Sequence, residues 1–374
     1  MSFAGILDNL PLTKSATVRS FEALLAPKNA RELDAMATRA RSLTLQHFGR
    51  TMRLFAPLYL SNECINSCRY CGFSRENPIL RLTLSIEEVL SEARHLAKAG
   101  FRNLLLVAGE HPKFVSDDYL GECVGVLGED FASIAIEVAP METEQYRPIV
   151  EAGAEGLVVY QETYNRAVYD AMHVAGPKKD FDWRLRCAER GYDAGFRRIG
   201  VGALFGLSPW RDEAVALAGH IEYLLKRCWK AALTVSVPRL RPAAGEFQPP
   251  EPMSDRDLVQ LVCALRVTFP QVGIVLSTRE APALRDLLAT VGVTMMSAGS
   301  HTEPGGYTHQ GKEKMHLTVR GRIIAPEAPL PEAALATSQF DITDSRSPAE
   351  IAQVLRERGL EPVWKDWDPV LAQR

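Results

Sequence analysis

The sequence predicts an α/β protein whose core is a (β/α)8 barrel of the TIM type. Short apolar runs alternate with amphipathic helical patterns from residue 54 onward, which is typical of βαβ units and a parallel sheet. Eight such runs follow one another, the number that closes a (β/α)8 barrel. Polar side chains cluster directly after these runs, at the strand ends where the active sites of such barrels lie.

The eight strands can be placed in order along the chain. The first leads into a loop that is rich in cysteine, and the second is apolar throughout, as expected for a strand buried on both faces. The predicted strand ranges are 56–60, 103–109, 134–139, 157–162, 198–204, 233–239, 273–279 and 294–298.

Helix signals separate these strands. Ser85 and Glu88 have the spacing of a capping box, and Ala-Gly pairs at 99–100, 152–153 and 194–195 mark helix ends. Residues 1–53 are predicted to form an N-terminal helical extension, with an amphipathic pattern at 30–46. Residues 54–305 form the barrel and residues 306–374 a C-terminal loop and short helical tail. In that tail Ser347 before Pro348 predicts a helix that runs to about residue 358.

Composition and charge exclude several classes of protein. The 374 residues carry a formal net charge of −3, which gives no bias toward nucleic acid or anionic membranes. The sequence shows neither a signal peptide nor a run of about 18 apolar residues. Its seven cysteines are not spaced as a disulfide framework. We therefore expect a cytoplasmic protein without nucleic-acid or membrane partners.

Three cysteines follow the first predicted strand. Cys64, Cys68 and Cys71 have the spacing C-x3-C-x2-C. Three thiolates at this spacing can hold three corners of a cubane iron-sulfur cluster and leave one iron open for chemistry. The alternative is a partial zinc site, which requires a fourth ligand. The nearest histidines, His47 and His95, lack the spacing of a zinc knuckle. The remaining cysteines fall on helical patterns and are predicted to be buried small side chains: Cys123, Cys187, Cys228 and Cys263.

The cysteine triplet, closed by Gly72-Phe73, resembles the motif of the radical S-adenosylmethionine (radical SAM) superfamily. The resemblance implies one [4Fe-4S] cluster, with S-adenosylmethionine bound at the open iron as the source of a 5′-deoxyadenosyl radical. It also implies a set of cofactor-binding residues at the strand ends. They are Phe73 beside the cluster, Gly109 and Glu110 for the methionyl ammonium, Glu162 for the ribose hydroxyls, Arg184 for the methionyl carboxylate, and Gly202 at the adenine. For Glu162 and Arg184 the alternative is an ordinary surface ion pair.

Further segments make the resemblance narrower. Residues 59–62, 105–111, 159–164, 238–242, 276–280 and 362–368 are similar to segments of the 2-iminoacetate synthases, the tyrosine lyases of thiamine thiazole biosynthesis. The resemblance implies cleavage of the Cα–Cβ bond of L-tyrosine to 2-iminoacetate (dehydroglycine) and p-cresol. It further implies thiazole synthase as a protein partner and an electron donor of the flavodoxin or ferredoxin type.

Substrate-binding residues are predicted on that basis. A zwitterionic amino acid needs a fixed cation for its carboxylate, and arginine suits this role best. Arg279 is the first choice and Ser297 a supporting donor, while Tyr59 is placed near the substrate amine. Arg239 and Arg241 remain rivals for the carboxylate. For the phenol group three candidates stay open: His111, Glu280 and His301.

Several alternatives remain at this stage. The maturase of iron-iron hydrogenase also cleaves tyrosine, but it carries a second cluster on C-terminal cysteines, and this sequence has no cysteine after Cys263. A radical SAM enzyme that acts on another substrate, such as a tryptophan lyase or a deazaflavin-type synthase, is a second possibility. A metal-binding scaffold whose main role is to dock a partner is a third. For a complex with thiazole synthase, the N-terminal extension and the tail at 364–367 are the two candidate contact surfaces.

Overall fold

A computed structural model describes residues 14–365 of the chain. The helices in this part are α1 (Ala16–Leu25), α2 (Ala30–Phe48), α3 (Ile86–Lys98), α4 (Asp117–Leu127), α5 (Thr143–Glu151), α6 (Arg166–Met172), α7 (Phe181–Leu185), α8 (Cys187–Ala194), α9 (Trp210–Arg227), α10 (Asp255–Thr268), α11 (Pro282–Val291) and α12 (Pro348–Glu357). The strands are β1 (Thr51–Ser61), β2 (Ser67–Cys68), β3 (Ile79–Arg81), β4 (Asn103–Ala108), β5 (Ser133–Glu137), β6 (Gly156–Glu162), β7 (His173–Ala175), β8 (Arg198–Ala203), β9 (Ala232–Ser236), β10 (Gly273–Leu276), β11 (Met295–Ser297), β12 (His316–Val319), β13 (Arg322–Ile324) and β14 (Glu361–Val363).

Eight parallel strands close into a barrel, which confirms the predicted fold class. Their order is β1, β4, β5, β6, β8, β9, β10 and β11, and β11 pairs back onto β1. In that closing pair Phe55 lies opposite Ser297. Because all strands are parallel, their C-terminal ends meet at one mouth of the barrel.

The helices pack outside the barrel for reasons visible in the sequence. Ser85 and Glu88 make the predicted capping box of α3, and Ser347 and Glu350 make another at α12. The N-terminal helices are tied to the barrel helices by polar contacts as well as by apolar packing. Gln260 of α10, for example, donates hydrogen bonds to two carbonyls at the end of α1.

Several strands differ from their predicted bounds. β1 begins at Thr51, because its first residues pair with β14 and β11 rather than continuing the helical extension. β10 ends at Leu276, so that Arg279 lies in the loop beyond it rather than on the strand. The short strands β3, β12 and β13 form a separate antiparallel sheet that the sequence did not predict. Long-range partners specify such short strands, and the local pattern carries little signal of them.

A segment from the C-terminal part of the chain crosses the mouth of the barrel. We call residues 337–344 the mouth segment. Its backbone is hydrogen-bonded to the barrel loops at Gly72, Pro242 and Thr278. A Cβ atom on Gly72 would lie 2.5 Å from the carbonyl oxygen of Gln339, so only glycine allows this close approach. The mouth segment therefore covers the strand ends next to the cysteine loop.

The opposite end of the barrel is finished by β14. Trp364 follows this strand and packs edge-on against Phe101, with the ring centroids 5.1 Å apart. Its carbonyl oxygen accepts a hydrogen bond of 2.8 Å from Asn103. The later residues of this predicted tail motif, 366–368, lie outside the described residues. Between residues 14 and 365, no helix combines the length and apolarity needed to cross a membrane.

Candidate active site at the barrel mouth

The cysteine loop leaves the C-terminal end of β1. Cys68 is buried, whereas Cys64 and Cys71 are half-buried, and none of the three forms a disulfide. β2 pairs with β7 and places Cys68 opposite His173. Asn66 donates a hydrogen bond of 2.6 Å to the carboxylate of Glu110 and so joins the loop to the end of β4.

Arg81 holds the cysteine loop from beneath. It is 1 % exposed, and its guanidinium donates to the carbonyl oxygens of Asn62, Phe73 and Ser74. Its Nε donates a bond of 2.6 Å to the hydroxyl of Thr318 on β12. A buried cation is stable only when it is fully hydrogen-bonded, and here the loop backbone supplies the acceptors. The loop is therefore clamped on both sides of the three cysteines.

The three thiols suit a cluster better than a single ion. Among residues 14–365 no group of three His, Cys, Asp or Glu side chains converges as ligands of one metal ion would. A cubane places each thiolate on a different iron, so its ligands do not converge on one point. Burial raises the pKa of the Cys68 and Cys71 thiols, and the ammonium of Lys178 acts in the opposite direction on both. Binding to iron would hold them as thiolates.

Gly109 and Glu110 lie directly against the cysteine loop. A Cβ atom on Gly109 would lie 2.2 Å from the carbonyl oxygen of Glu63 and 3.3 Å from Cβ of Cys64. The backbone carbonyl of Glu110 accepts a hydrogen bond of 2.8 Å from Ile65. The predicted glycine-glutamate segment thus stands beside the place where a cluster would be held.

A buried ion-pair network occupies the ends of β6 and α7. Glu162 accepts hydrogen bonds from Lys178 at 2.7 Å and from Arg184 at 3.3 Å. Burial alone would raise the pKa of Glu162, but these two cations hold it at about 2. Glu162 also has a φ of 71°, in the left-handed region that costs energy for a non-glycine residue. The alternative of an ordinary surface pair is wrong, because all three side chains are 10–15 % exposed.

Packing within the barrel accounts for the residue types at Gly202 and Phe73. A Cβ atom on Gly202 would lie 2.4 Å from the carbonyl oxygen of Ser236 and 2.9 Å from the ring of Tyr160, so the barrel interior itself requires glycine there. Its contact with an adenine stays a prediction. Phe73 is 2 % exposed and packs edge-on against Tyr59, with the ring centroids 5.9 Å apart.

A cavity of about 70 Å³ opens inside the mouth and is lined by all three predicted substrate residues, Tyr59, Arg279 and Ser297. The Tyr59 hydroxyl donates a hydrogen bond of 2.8 Å to Gln339 of the mouth segment. The guanidinium carbon of Arg279 lies 3.3 Å from the ring centroid of Phe340. In the described chain no carboxylate or carbonyl group accepts a hydrogen bond from the Arg279 guanidinium, which leaves its donors available to a ligand.

The two rival arginines are already engaged. Arg239 and Arg241 both donate to the carboxylate of Glu280, and Arg239 also pairs with Asp255 at 2.8 Å. This network also occupies Glu280, one of the three candidates for the phenol. Of the other two, His301 is paired with Glu303 at 3.0 Å. His111 lines a different pocket, with Gly109 and Glu110.

One residue that the sequence analysis missed is Glu137. It ends β5, lines the same cavity as Arg279, and is half-buried. No donor among residues 14–365 lies within hydrogen-bonding distance of its carboxylate. Burial raises the pKa of Glu137 to about 7, although Arg279 acts to lower it. A polar residue that closes an apolar strand was the signal available in the sequence, but it was one of many.

The remaining cysteines behave as predicted. Cys123, Cys187, Cys228 and Cys263 are each fully buried at 0 % exposure, and all are unpaired. The hydroxyl of Tyr146 lies 3.1 Å from the sulfur of Cys187. None of the four lines the cavity at the barrel mouth.

Two family models match the chain. The first, described as the radical SAM superfamily, covers residues 58–218, from the first barrel strand through the cysteine loop to α9. The second, described as the biotin and thiamin synthesis associated domain, covers residues 236–361. Together they cover most of the barrel and all of the mouth segment.

Curated relatives are similar over nearly the whole chain. The 2-iminoacetate synthases of Escherichia coli K12 and Salmonella typhimurium LT2 are each 40 % identical over 352 residues, which is 94 % of this chain and 87 % of the relative. A 3-methylornithine synthase of Methanosarcina acetivorans is 30 % identical over 173 residues, 46 % of this chain and 49 % of its own.

Solved structures show the same architecture. A crystal structure of HydG, a maturase of the [FeFe]-hydrogenase, has a TM-score of 0.82 and 31 % identity, covering 97 % of this chain and 79 % of that one. HydG from Carboxydothermus hydrogenoformans has the same TM-score and coverage with 35 % identity. Methylornithine synthase, with a TM-score of 0.71 at 21 % identity, shares the fold.

Proposed function

The chain belongs to the 2-iminoacetate synthase family of radical SAM enzymes, and on that premise we propose that it cleaves the Cα–Cβ bond of L-tyrosine. The products are 2-iminoacetate and p-cresol, and the former would feed thiazole formation in thiamine biosynthesis. The observation that carries the choice of an amino-acid substrate is the unpaired guanidinium of Arg279 in a cavity beside the cysteine loop.

The residues at the mouth fit the cofactors of this family. Cys64, Cys68 and Cys71 would hold the [4Fe-4S] cluster, and Glu110 and Glu162 would contact S-adenosylmethionine. The bound cofactors supply a 5′-deoxyadenosyl radical that abstracts a hydrogen atom. The chain itself orients the substrate and keeps water away from it, and the mouth segment is placed to do the latter.

Tyrosine would lie in the cavity with its carboxylate on Arg279. A planar guanidinium can donate two parallel hydrogen bonds to a carboxylate, and such charge-assisted bonds are the strongest available to a side chain. Ser297 lines the same cavity and would support this end of the substrate. The Tyr59 hydroxyl, held by Gln339, would face the amine. These placements remain proposals.

The direct test is an anaerobic assay of the reconstituted protein with tyrosine, S-adenosylmethionine and a reductant. We expect p-cresol to form in step with 5′-deoxyadenosine. Cleavage of the cofactor without any p-cresol would refute tyrosine lyase activity while leaving the radical SAM assignment intact.

The same assay separates the proposal from its alternatives. Tryptophan and a deazaflavin precursor are offered in competition with tyrosine, and we expect neither to be cleaved. The scaffold hypothesis predicts that Cys68→Ala retains function once folding is confirmed, whereas a radical mechanism predicts complete loss.

Two partners and a compartment belong to the proposal. The imine product hydrolyses in water, so direct transfer to thiazole synthase would protect it. One electron for each cofactor cleavage would come from a flavodoxin- or ferredoxin-type donor. All seven cysteines are unpaired, which agrees with the reducing cytoplasm that an exposed cluster requires.

A further inference from the structure

Glu137 is an unpartnered carboxylate inside the reaction cavity. It ends β5, and its neighbours in the cavity wall include Arg279, Tyr59 and Tyr160. No contact within the described chain explains it: no ion pair or hydrogen bond engages its side chain there. A lone carboxylate in a partly dry cavity is unfavourable, and such groups concentrate at functional sites.

The charges that act on Glu137 come from two directions. Arg279, the proposed clamp for the substrate carboxylate, is one. The ion-pair network on the cofactor side, Glu162 with Arg184 and Lys178, is the other. Because β5 and β6 are neighbours in the barrel, Glu137 at the end of β5 lies beside the strand that ends at Glu162, and it shares the cavity with Arg279.

That position corresponds to one group of the substrate. In an amino acid the amine and the carboxylate share one carbon. With the carboxylate on Arg279, the amine is the substituent that points toward the radical source if hydrogen is taken from nitrogen. Free tyrosine carries this amine as an ammonium ion near neutral pH, and a base is needed to make it neutral.

We propose that Glu137 binds the ammonium group of the bound amino acid and removes one proton from it before hydrogen abstraction. The nitrogen keeps the electron pair of the broken N–H bond, and the Glu137 carboxylate becomes a carboxylic acid. A pair of electrons on the carboxylate forms the new O–H bond, and no oxidation state changes in this step. The assignment rests on the proposed tyrosine lyase function.

The environment of Glu137 suits this task. Burial raises its pKa to about 7, much closer to that of an α-amino group than the ordinary value of a glutamate. The charged and titratable groups that face it come from four parts of the fold: Tyr59 on β1, Tyr160 and Glu162 on β6, Lys178 and Arg184 after β7, and Arg279 after β10. Because the folded pKa is raised, Glu137 is an active base above about pH 7 and is lost as a base below it.

The first measurement needs neither cofactor nor turnover. Infrared difference spectra of the protein alone, wild type minus Glu137→Gln, should show a carboxyl band that titrates with a midpoint near pH 7. Glu144→Gln, which replaces an exposed glutamate on the following helix, is the matched control and should leave the Glu137 band unchanged. A Glu137 band whose titration midpoint lies at the usual pKa of a glutamate would contradict the proposal, even if tyrosine cleavage is confirmed.

The second measurement is the pH profile of p-cresol formation. Glu137→Gln should weaken tyrosine binding about tenfold, because a neutral amide holds an ammonium ion less well than a carboxylate does, and should turn over about 10²- to 10³-fold more slowly at pH 7. Its rate should recover at alkaline pH, where the substrate amine loses its proton unaided. Glu137→Asp should restore part of the rate at pH 7. An unchanged kcat at pH 7, whatever the change in tyrosine binding, would overturn the role as a base.

Ring-fluorinated tyrosines distinguish the amine from the phenol. Fluorine on the ring lowers the pKa of the phenol and leaves that of the amine nearly unchanged. The pH at which Glu137→Gln recovers should therefore be the same for tyrosine and its fluorinated analogues. A recovery that moves with fluorination would assign Glu137 to the phenol and overturn the proposal. A wild type that makes no p-cresol would count against the proposed function, and the infrared titration would still decide the state of Glu137.

Discussion

At the residue scale, the site separates arginines that are engaged from one that is available. Arg239 and Arg241 both pair with Glu280, so moving either to a ligand would take one of its two cations from a buried carboxylate. Arg279 packs only its flat face on Phe340 and leaves its N–H edges free to donate. The three candidate arginines thus differ in the partners that the fold gives them.

The Arg279 assignment leads to a first prediction. Arg279→Ala should raise the KM for tyrosine about 10- to 100-fold, because a hydrogen bond to a charged group contributes about 1.5–3 kcal/mol. Steady-state assays of p-cresol measure this change. Arg322→Ala, which removes an exposed arginine on β13, is the control and should leave KM unchanged. If Arg279→Ala binds tyrosine with full affinity, another group must bind the substrate carboxylate.

Glu162 provides a second prediction, on stability. Glu162→Gln leaves Lys178 and Arg184 buried without their anion and should lower the free energy of unfolding by about 3 kcal/mol at pH 7. The folded pKa of Glu162 is lowered to about 2, so this stability is present above about pH 5 and is lost as pH falls toward 2.

Chemical denaturation over a pH series measures this effect. The difference in free energy of unfolding between wild type and Glu162→Gln should become smaller as the solution is acidified from pH 5. Glu151→Gln, an exposed glutamate at the end of α5, should show almost no gap at any pH. A gap for Glu162→Gln that is independent of pH would mean that packing, and not charge, is responsible.

At the element scale, the mouth segment joins parts of the site that are distant in sequence. It contacts the cysteine loop through Gly72, the substrate cavity through Gln339, and Arg279 through Phe340. None of these contacts is local, so the sequence predicts residues 337–344 only as part of a loop. The segment is the element most able to couple the cluster loop to the substrate pocket.

Its close approach to Gly72 provides the third prediction. In Gly72→Ala the new methyl group would lie 2.5 Å and 2.8 Å from two carbonyl oxygens of the mouth segment, so the segment must move. We expect the KM for tyrosine to rise about tenfold and stability to fall by about 1–3 kcal/mol.

Gly121→Ala is the matched control for this substitution. Gly121 lies on α4 with no atom within 4 Å of the position of its Cβ, and alanine favours helix there. The control should therefore be as stable as wild type or slightly more stable, with unchanged KM. The KM for tyrosine and the thermal stability of both variants are measured. Equal values for Gly72→Ala and Gly121→Ala would mean that the mouth segment moves to accept the methyl group without cost.

At the scale of the whole molecule, the two ends of the barrel have different tasks. The C-terminal mouth carries the cysteines, the ion-pair network and the cavity, whereas the opposite end is closed by β14 and Trp364. The closed end stabilises the barrel, and the mouth carries the residues proposed for the chemistry. Changes at the closed end should therefore affect stability more than catalysis.

Trp364 provides the fourth prediction. Trp364→Ala removes a half-buried ring from Phe101 and should lower the free energy of unfolding by about 2 kcal/mol, while kcat well below the unfolding temperature stays within about twofold. Trp229, which is 71 % exposed, is the control, and its replacement by alanine should change stability by less than about 0.5 kcal/mol. A large loss of kcat in Trp364→Ala would connect the closed end to the chemistry.

The sequence by itself determined the barrel, the cysteine triplet and most of the strand ends around it, because repeating βα patterns and motif spacing are local properties of the chain. Only the tertiary structure decided which arginine is free, that Glu162 is shared by two cations, and that Glu137 faces the cavity alone. These facts depend on which side chains meet across strands far apart in sequence. Burial and pairing then set the charge state of each group, and neither can be read from a residue's own neighbours along the chain.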